Sequence, residues 1–299
     1  MKINWFRLIV LISLVFLGVY LYREDFIKWP VIYDHTTFLI SILFLFVGFF
    51  LQAVNWRQIL KSNYPISIRD AIVSSGLSVF TKYIPGKVLV ILGKAEFITK
   101  KYSYPRKEII ARSLESQLIT IWTGLLVGSL SLSVINVGRE WFYLIFISLL
   151  ALGVIIFNHH LTLRLSSLLS KAFKRKIDLP KMSAKVLIKI LPFYFLYWFV
   201  YALAFYFLAN SLTPTAIKSS IGYIFPLAAT AGILAIIAPG GLGVREGVLI
   251  LFLGSSELMT TDSATTVSVF SRLWFMGGET FLFLIGIIAS RKHVGGIQK

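Results

Sequence analysis

Six apolar runs, around residues 4–22, 38–54, 112–134, 141–157, 187–209 and 263–289, dominate the chain. A bilayer's hydrocarbon core, about 30 Å thick, takes roughly 17–25 helical residues to cross, and each run meets that length. With 57% hydrophobic and 14% charged residues, the chain leaves almost nothing for a soluble catalytic domain. The longest polar stretch is about residues 158–186. The expectation is an all-α polytopic membrane protein, with residues 1–299 forming a single integral membrane domain.

The first run follows Lys2 and Arg7, as a secretory signal would. No small-residue cleavage pattern follows it, only Tyr20-Leu21-Tyr22-Arg23-Glu24, so it reads as an uncleaved span. Cysteine is absent, which excludes disulfides, thiol catalysis and thiolate metal sites. The net charge of +17 does not indicate nucleic-acid binding, because most Lys and Arg fall in membrane-flanking loops on one side. That is the pattern of a topology signal that also attracts anionic lipid.

Loop charges then orient the spans. Lys2 and Arg7 place the amino terminus in the cytoplasm, and Arg57, Lys61 and Arg69 mark the next cytoplasmic loop. Lys100, Lys101, Arg106 and Lys107 mark another, so residues 71–98 leave and return on one side. Their first arm, about residues 71–83, is too short to span, and Pro85-Gly86 offers a natural break between half-helices. The connector 158–186 is basic and cytoplasmic, with an interfacial amphipathic helix expected over 161–173. Residues 221–254 form a second broken segment around Pro239, Gly240, Gly241 and Gly243, although 221–238 is long enough to cross alone. Arg291, Lys292 and Lys299 return the carboxyl terminus to the cytoplasm, giving a multi-pass cell-membrane protein. The sum is about six full spans plus two broken hairpins, or eight spans if the hairpins cross. Residues 38–134 and 187–289 both read span, broken hairpin, span, from opposite faces, which is the layout of an inverted-topology repeat.

Ionisable residues at membrane depth are costly and mark candidate sites. Arg245 and Glu246 fall in the first turn of a half-helix opened at Gly243, where amide donors and the dipole favour an anion and Arg245 can clamp phosphate. Lys87 and Lys94 share a face after the first break, with Glu96 nearby. Arg112 and Glu115 pair at i, i+3, and Arg272 and Glu279 lie deep in their span at i, i+7. Against these stand structural roles: snorkelling lysines, a kink-stabilising Arg245–Glu246 contact, and a plain ion pair on the last span. Tyr194, Tyr197, Trp198, Tyr201 and Tyr206 cluster on one span, as an interface belt, a packing seam or a sugar platform. Catalytic patterns are thin: the four histidines fall in loops or the tail, there is no HExxH helix and no Asp-x-Asp pair. No catalytic residue, metal site or cofactor is assigned.

Two strings carry a resemblance: Lys82-Tyr83-Ile84-Pro85-Gly86-Lys87 and Ala238-Pro239-Gly240-Gly241-Leu242-Gly243-Val244-Arg245-Glu246-Gly247. With Ala111-Arg112-Ser113-Leu114-Glu115, they resemble the lysylphosphatidylglycerol synthase transmembrane-region family, also called flippase-like membrane proteins. The resemblance extends over nearly the whole chain. It implies a polytopic domain that moves anionic or polyprenyl-linked lipids between leaflets, or is associated with moving them. In the aminoacyl-lipid synthases a soluble aminoacyltransferase domain follows; this sequence ends at Lys299 without one, so synthase activity is not expected. The expected function is a lipid flippase working by alternating access. Lys87, Lys94, Arg112, Arg245 and Arg272 would bind a phosphate-bearing headgroup, and Glu96, Glu115, Glu246 and Glu279 would balance charge or couple protons. The expected partners are an anionic phospholipid or a polyprenyl-phosphate-linked glycan, and a lipid-modifying enzyme. The alternatives are a membrane-embedded transferase acting on a lipid-linked substrate, and a non-transporting scaffold.

Overall fold

The computed structural model describes residues 30–83, 88–133, 138–158, 164, 184–235, 238–255 and 259–291. These form nine α-helices: α1 (His35–Leu60), α2 (Ile68–Ser78), α3 (Val88–Tyr102), α4 (Arg106–Ser129), α5 (Arg139–Phe157), α6 (Ala184–Ser211), α7 (Ile224–Leu234), α8 (Val244–Gly254) and α9 (Thr261–Arg291). Run 4–22, the Pro85-Gly86-Lys87 turn and most of connector 158–186, with its expected interfacial helix, lie outside the described residues.

Five helices are long and apolar enough to cross a membrane: α1, α4 with the 3-10 turn after it, α5, α6 and α9. Each of the four beside the broken segments begins before its apolar run, because polar first turns extend a helix beyond the hydrocarbon. Asp34, for instance, caps α1 by accepting from Thr36 and Thr37 backbone N–H groups at 2.8 and 3.2 Å, so His35 is helical rather than in a loop.

Both broken segments begin with a short arm. In the first, α2 runs into the five-residue 3-10 turn Val79–Tyr83; in the second, the five-residue turn Ser219–Tyr223 runs into the eleven-residue α7. Either arm is roughly 26 Å long, short of the hydrocarbon thickness. The α-helical part of the second arm ends at Leu234, before the 238 that its apolar composition allowed. The first segment folds back as a hairpin, α2 against α3. Its base is closed by Asp70, which pairs with Lys101 and accepts from the Tyr102 hydroxyl at 2.6 Å. Residues 70 and 101–102 therefore emerge on one side, as the loop charges require.

Packing follows a regular scheme. The two helices that precede the broken segments, α1 and α6, lie along each other. Helix α2 packs on α9 and α7 on α4, while α3 packs on α4 and α8 on α9. Lipid supplies no hydrophobic drive between helices, so close backbone approach and ring packing hold them. A Cβ on Gly76 of α2 would meet the Leu282 carbonyl oxygen of α9 at 2.5 Å, and one on Gly128 of α4 would meet the Leu227 nitrogen of α7 at 2.7 Å. Between α1 and α6, Phe49 meets Tyr201 edge to face at 5.8 Å. Helix α5 leans on α4 and leaves Leu144, Phe146, Ile147, Leu150 and Val154 exposed, which suits a lipid-facing span.

Gly76→Val should lower stability by about 1–3 kcal/mol or prevent folding, because backbone rather than a yielding side chain opposes the new methyls. Gly277→Ala, where a Cβ meets nothing within 4 Å, should be neutral or slightly stabilising. Thermal unfolding of the two variants in detergent, followed by size-exclusion recovery, checks the contrast.

Candidate functional site

The end of the first arm meets the second break. In the second, Gly240 adopts φ 59° and Gly241 φ 72°, left-handed backbone that favours glycine. A Cβ at Gly240 would also fall 2.6 Å from the Tyr83 ring, which ends the first arm. Gly243, at φ 80°, opens α8, and its N–H donates to the Glu246 carboxylate at 2.8 Å. This is half of a capping box, since glycine has no side chain to return the bond.

Helix α9 fastens both breaks. Glu279, fully buried, pairs with Lys82 and accepts from the Tyr83 hydroxyl at 2.8 Å. Two turns earlier on the same face, Arg272 donates to the Gly240 carbonyl at 3.0 Å and stacks over the Tyr83 ring at 5.3 Å. Glu246 lies 3.6 Å from Arg272 and 3.3 Å from Arg245, and its backbone carbonyl accepts from Ser268 at 3.0 Å. The Arg245 guanidinium sits over Phe225 and Phe275 at 5.5 and 5.1 Å.

Beside this network lies a cavity of about 470 Å³. Lys82, Lys94, Arg245 and Arg272 all line it, and no carboxylate is among its lining residues. Glu246 and Glu279 pair with the cations without lining the cavity, so four cations face two carboxylates. Among the described residues, Arg272 Nε and Nη2 are buried without a hydrogen-bond acceptor, Arg245 Nε has only its 3.3 Å ion pair with Glu246, and Lys94 has no ion-pair partner. An unsatisfied buried donor costs about 1–3 kcal/mol, and more when charged. A cationic, donor-rich, water-restricted surface of this kind is matched by an anion with several oxygens.

The structure thus brings together Arg245, Arg272, Glu246, Glu279 and Lys94, with Gly240, Gly241 and Gly243 shaping the backbone. Glu96 is elsewhere: it is half-exposed and pairs with Lys100 at 3.4 Å and Arg106 at 3.1 Å. Arg112 and Glu115 pair with each other at 2.7 Å on α4, adjacent to cavity-lining Ser113 and Ser116 but not in the lining themselves. Pro85, Gly86 and Lys87 lie outside the described residues. Sequence reading did not select Lys82 and Tyr83 as site residues. Their position immediately before the Pro-Gly break, inside the resembling string, was the available signal.

Removing one member of a buried ion pair leaves the other uncompensated and typically costs about 3–5 kcal/mol. Glu279→Leu should therefore destabilise the protein by several kcal/mol, and Lys82→Met in the same chain should recover part of that loss. A double-mutant cycle on unfolding in detergent should return a coupling above ~1 kcal/mol; additivity would show that the contact carries no energy.

The chain matches the family model described as lysylphosphatidylglycerol synthase TM region over residues 4–278. No curated protein matches it. Apolar span-length helices, two interlocked breaks and a match across nearly the whole sequence agree: the chain is a multi-pass membrane protein that belongs to the lysylphosphatidylglycerol synthase TM-region family.

Proposed function

We propose that this protein, from a family concerned with lipid handling, moves a lipid bearing a phosphate group between leaflets by alternating access. The observation that carries the reading is the cavity lining: four cations and no carboxylate. Lys82, Arg245 and Arg272 hold the phosphate, Lys94 adds positive charge, and Glu246 and Glu279 hold the cations in place between substrates. The candidate substrates are anionic phospholipids and polyprenyl-phosphate-linked lipids. A cationic aminoacyl headgroup has no counter-charge in the lining and suits this cavity poorly.

Two-sided access rests on an inverted repeat of residues 38–134 and 187–289. The packing scheme supports it, because exchanging α1 with α6, α2 with α7, α3 with α8 and α4 with α9 returns the same set of neighbours. In this reading both termini and the basic loops are cytoplasmic, in the cell membrane.

Reconstitution into liposomes with labelled phosphatidylglycerol and prenyl-phosphate lipids, following leaflet transfer, tests the function. Arg245→Ala and Arg272→Ala should each slow transfer at least tenfold, since a charge-assisted hydrogen bond contributes about 1.5–3 kcal/mol. Arg245→Lys should retain an intermediate rate, a point charge replacing a bidentate fork. Glu96→Gln should stay within about threefold of the parent, since an exposed pair contributes little. Folded parent protein that transfers none of these lipids overturns the proposal.

A further inference from the structure

Four cations and two carboxylates leave an excess of two positive charges at the cavity, and the pairing shows where each one lies. Glu279 takes Lys82, and Glu246 is shared between Arg245 at 3.3 Å and Arg272 at 3.6 Å. One carboxylate cannot neutralise two guanidinium groups, so a full charge is left on that pair. The other excess charge is Lys94, which lines the cavity and has no ion-pair partner among the described residues. The carboxylates that follow it in sequence are committed elsewhere: Glu96 to Lys100 and Arg106, and Glu115 to Arg112 at 2.7 Å.

Ring faces offset part of the first charge. Phe225 and Phe275 lie against Arg245 at 5.5 and 5.1 Å, and Tyr83 lies against Arg272 at 5.3 Å. Lys94 has no such ring contact among the described residues. It lies within electrostatic reach of Lys82, and Lys82 lies within reach of Arg245 and Arg272, so like charges repel across a lining that holds no other charged residue. Net charge in water-poor surroundings is costly until a counter-ion arrives.

The charge on that counter-ion separates two classes of headgroup. A phosphate esterified on both sides, as in phosphatidylglycerol, brings one negative charge and leaves one positive charge unmatched. A phosphate esterified once brings two, since its second proton leaves at about pH 6. A diphosphate esterified at both ends also brings two.

We propose that the site is matched to a lipid headgroup with two negative charges, a phosphomonoester or a diphosphate, and that Lys94 is the residue that selects for the second charge. This rests on the phosphate-lipid reading above and narrows it by charge, making singly charged phosphodiester lipids the poorer ligands.

Isothermal titration of the purified full-length protein in detergent at about pH 8, well above that second ionisation, tests it. The probes are short-chain prenyl phosphate, its methyl ester, the corresponding prenyl methyl diphosphate, and inorganic phosphate. The methyl ester keeps the tail and the phosphorus and removes one charge. Prenyl phosphate, the methyl diphosphate or both should bind about tenfold more tightly than the methyl ester, a difference of about 1.4 kcal/mol. Which of them does so distinguishes one phosphate from two. In Lys94→Gln and Lys94→Met that ratio should fall to threefold or less, and in Lys94→Arg, which keeps the charge, it should stay near tenfold. Two neutral replacements guard against one that does not fold. A methyl ester that binds as tightly as both dianions overturns the charge count and leaves the phosphate site standing. A preference that survives in both neutral variants overturns it too, because the bulk of the methyl group would then set the ratio. Inorganic phosphate should bind at least tenfold more weakly than prenyl phosphate; equal affinity overturns the assignment to a lipid. Absence of binding by all four probes removes the phosphate reading itself, and the inference with it.

Discussion

Non-helical backbone and charged side chains at membrane depth have to be satisfied by protein, because lipid offers them no hydrogen bonds. This chain contains both, and it satisfies each with the other. Helix α9 places Glu279 and Arg272 on one face, about 10 Å apart along the axis. The carboxylate takes Lys82 and Tyr83 at the end of the first broken arm, and the guanidinium takes the Gly240 carbonyl freed by the second. The first needs an acceptor for Lys82 and Tyr83, and the second needs a donor for its carbonyl. A single unbroken helix supplies both, which explains why it carries an arginine and a glutamate that a lipid-facing span would exclude.

The same economy creates the site. Glu279 and Glu246 pair with Lys82, Arg245 and Arg272 but are not themselves among the residues that line the cavity. An anion reaching Lys82 competes with Glu279, and one reaching Arg245 or Arg272 competes with Glu246. In the proposed function, binding at this surface is therefore coupled to the contacts around the two breaks. Whatever loosens Lys82 from Glu279 also loosens the first arm from α9.

Much of this was legible in the sequence, and the division is physical. Span positions follow from apolarity, a local property, and the five described spans fall where the runs are. The breaks announce themselves through proline and glycine, and the depth of Arg272 and Glu279 follows from their place within a long run. Partner choice is different. Glu96 was grouped with Glu279 as a charge-balancing residue, yet it faces Lys100 one turn on and Arg106 across the following turn, at the exposed base of the hairpin. Lys82, quoted only within the resembling string, was not selected because nothing local says that Glu279, nearly two hundred residues away, will cross it. Asp70 was missed as the base clamp for the same reason: its partners, Lys101 and Tyr102, meet it only because α2 and α3 fold back together. Helical period shows which residues share a face, but not which helix that face will meet.

The kinds of contact also divide the molecule mechanically. The seam between α1 and α6 is ring-filled, with Phe49 set against Tyr201 and Gly48 beneath the same ring. Such packing is specific in shape, and sliding it costs many small dispersion contacts at once. The junction between the two breaks is held instead by a few ion pairs, one carbonyl bond and one ring over a glycine. Charged contacts of this kind can be exchanged one for one with an anionic ligand, which supplies the acceptor oxygens that the carboxylates give up. If the proposed transport cycle operates, its lowest-cost path lies at this junction, with the α1–α6 seam as the frame. Of the resembling strings, Lys82, Tyr83, Gly240, Arg245 and Glu246 lie at that junction.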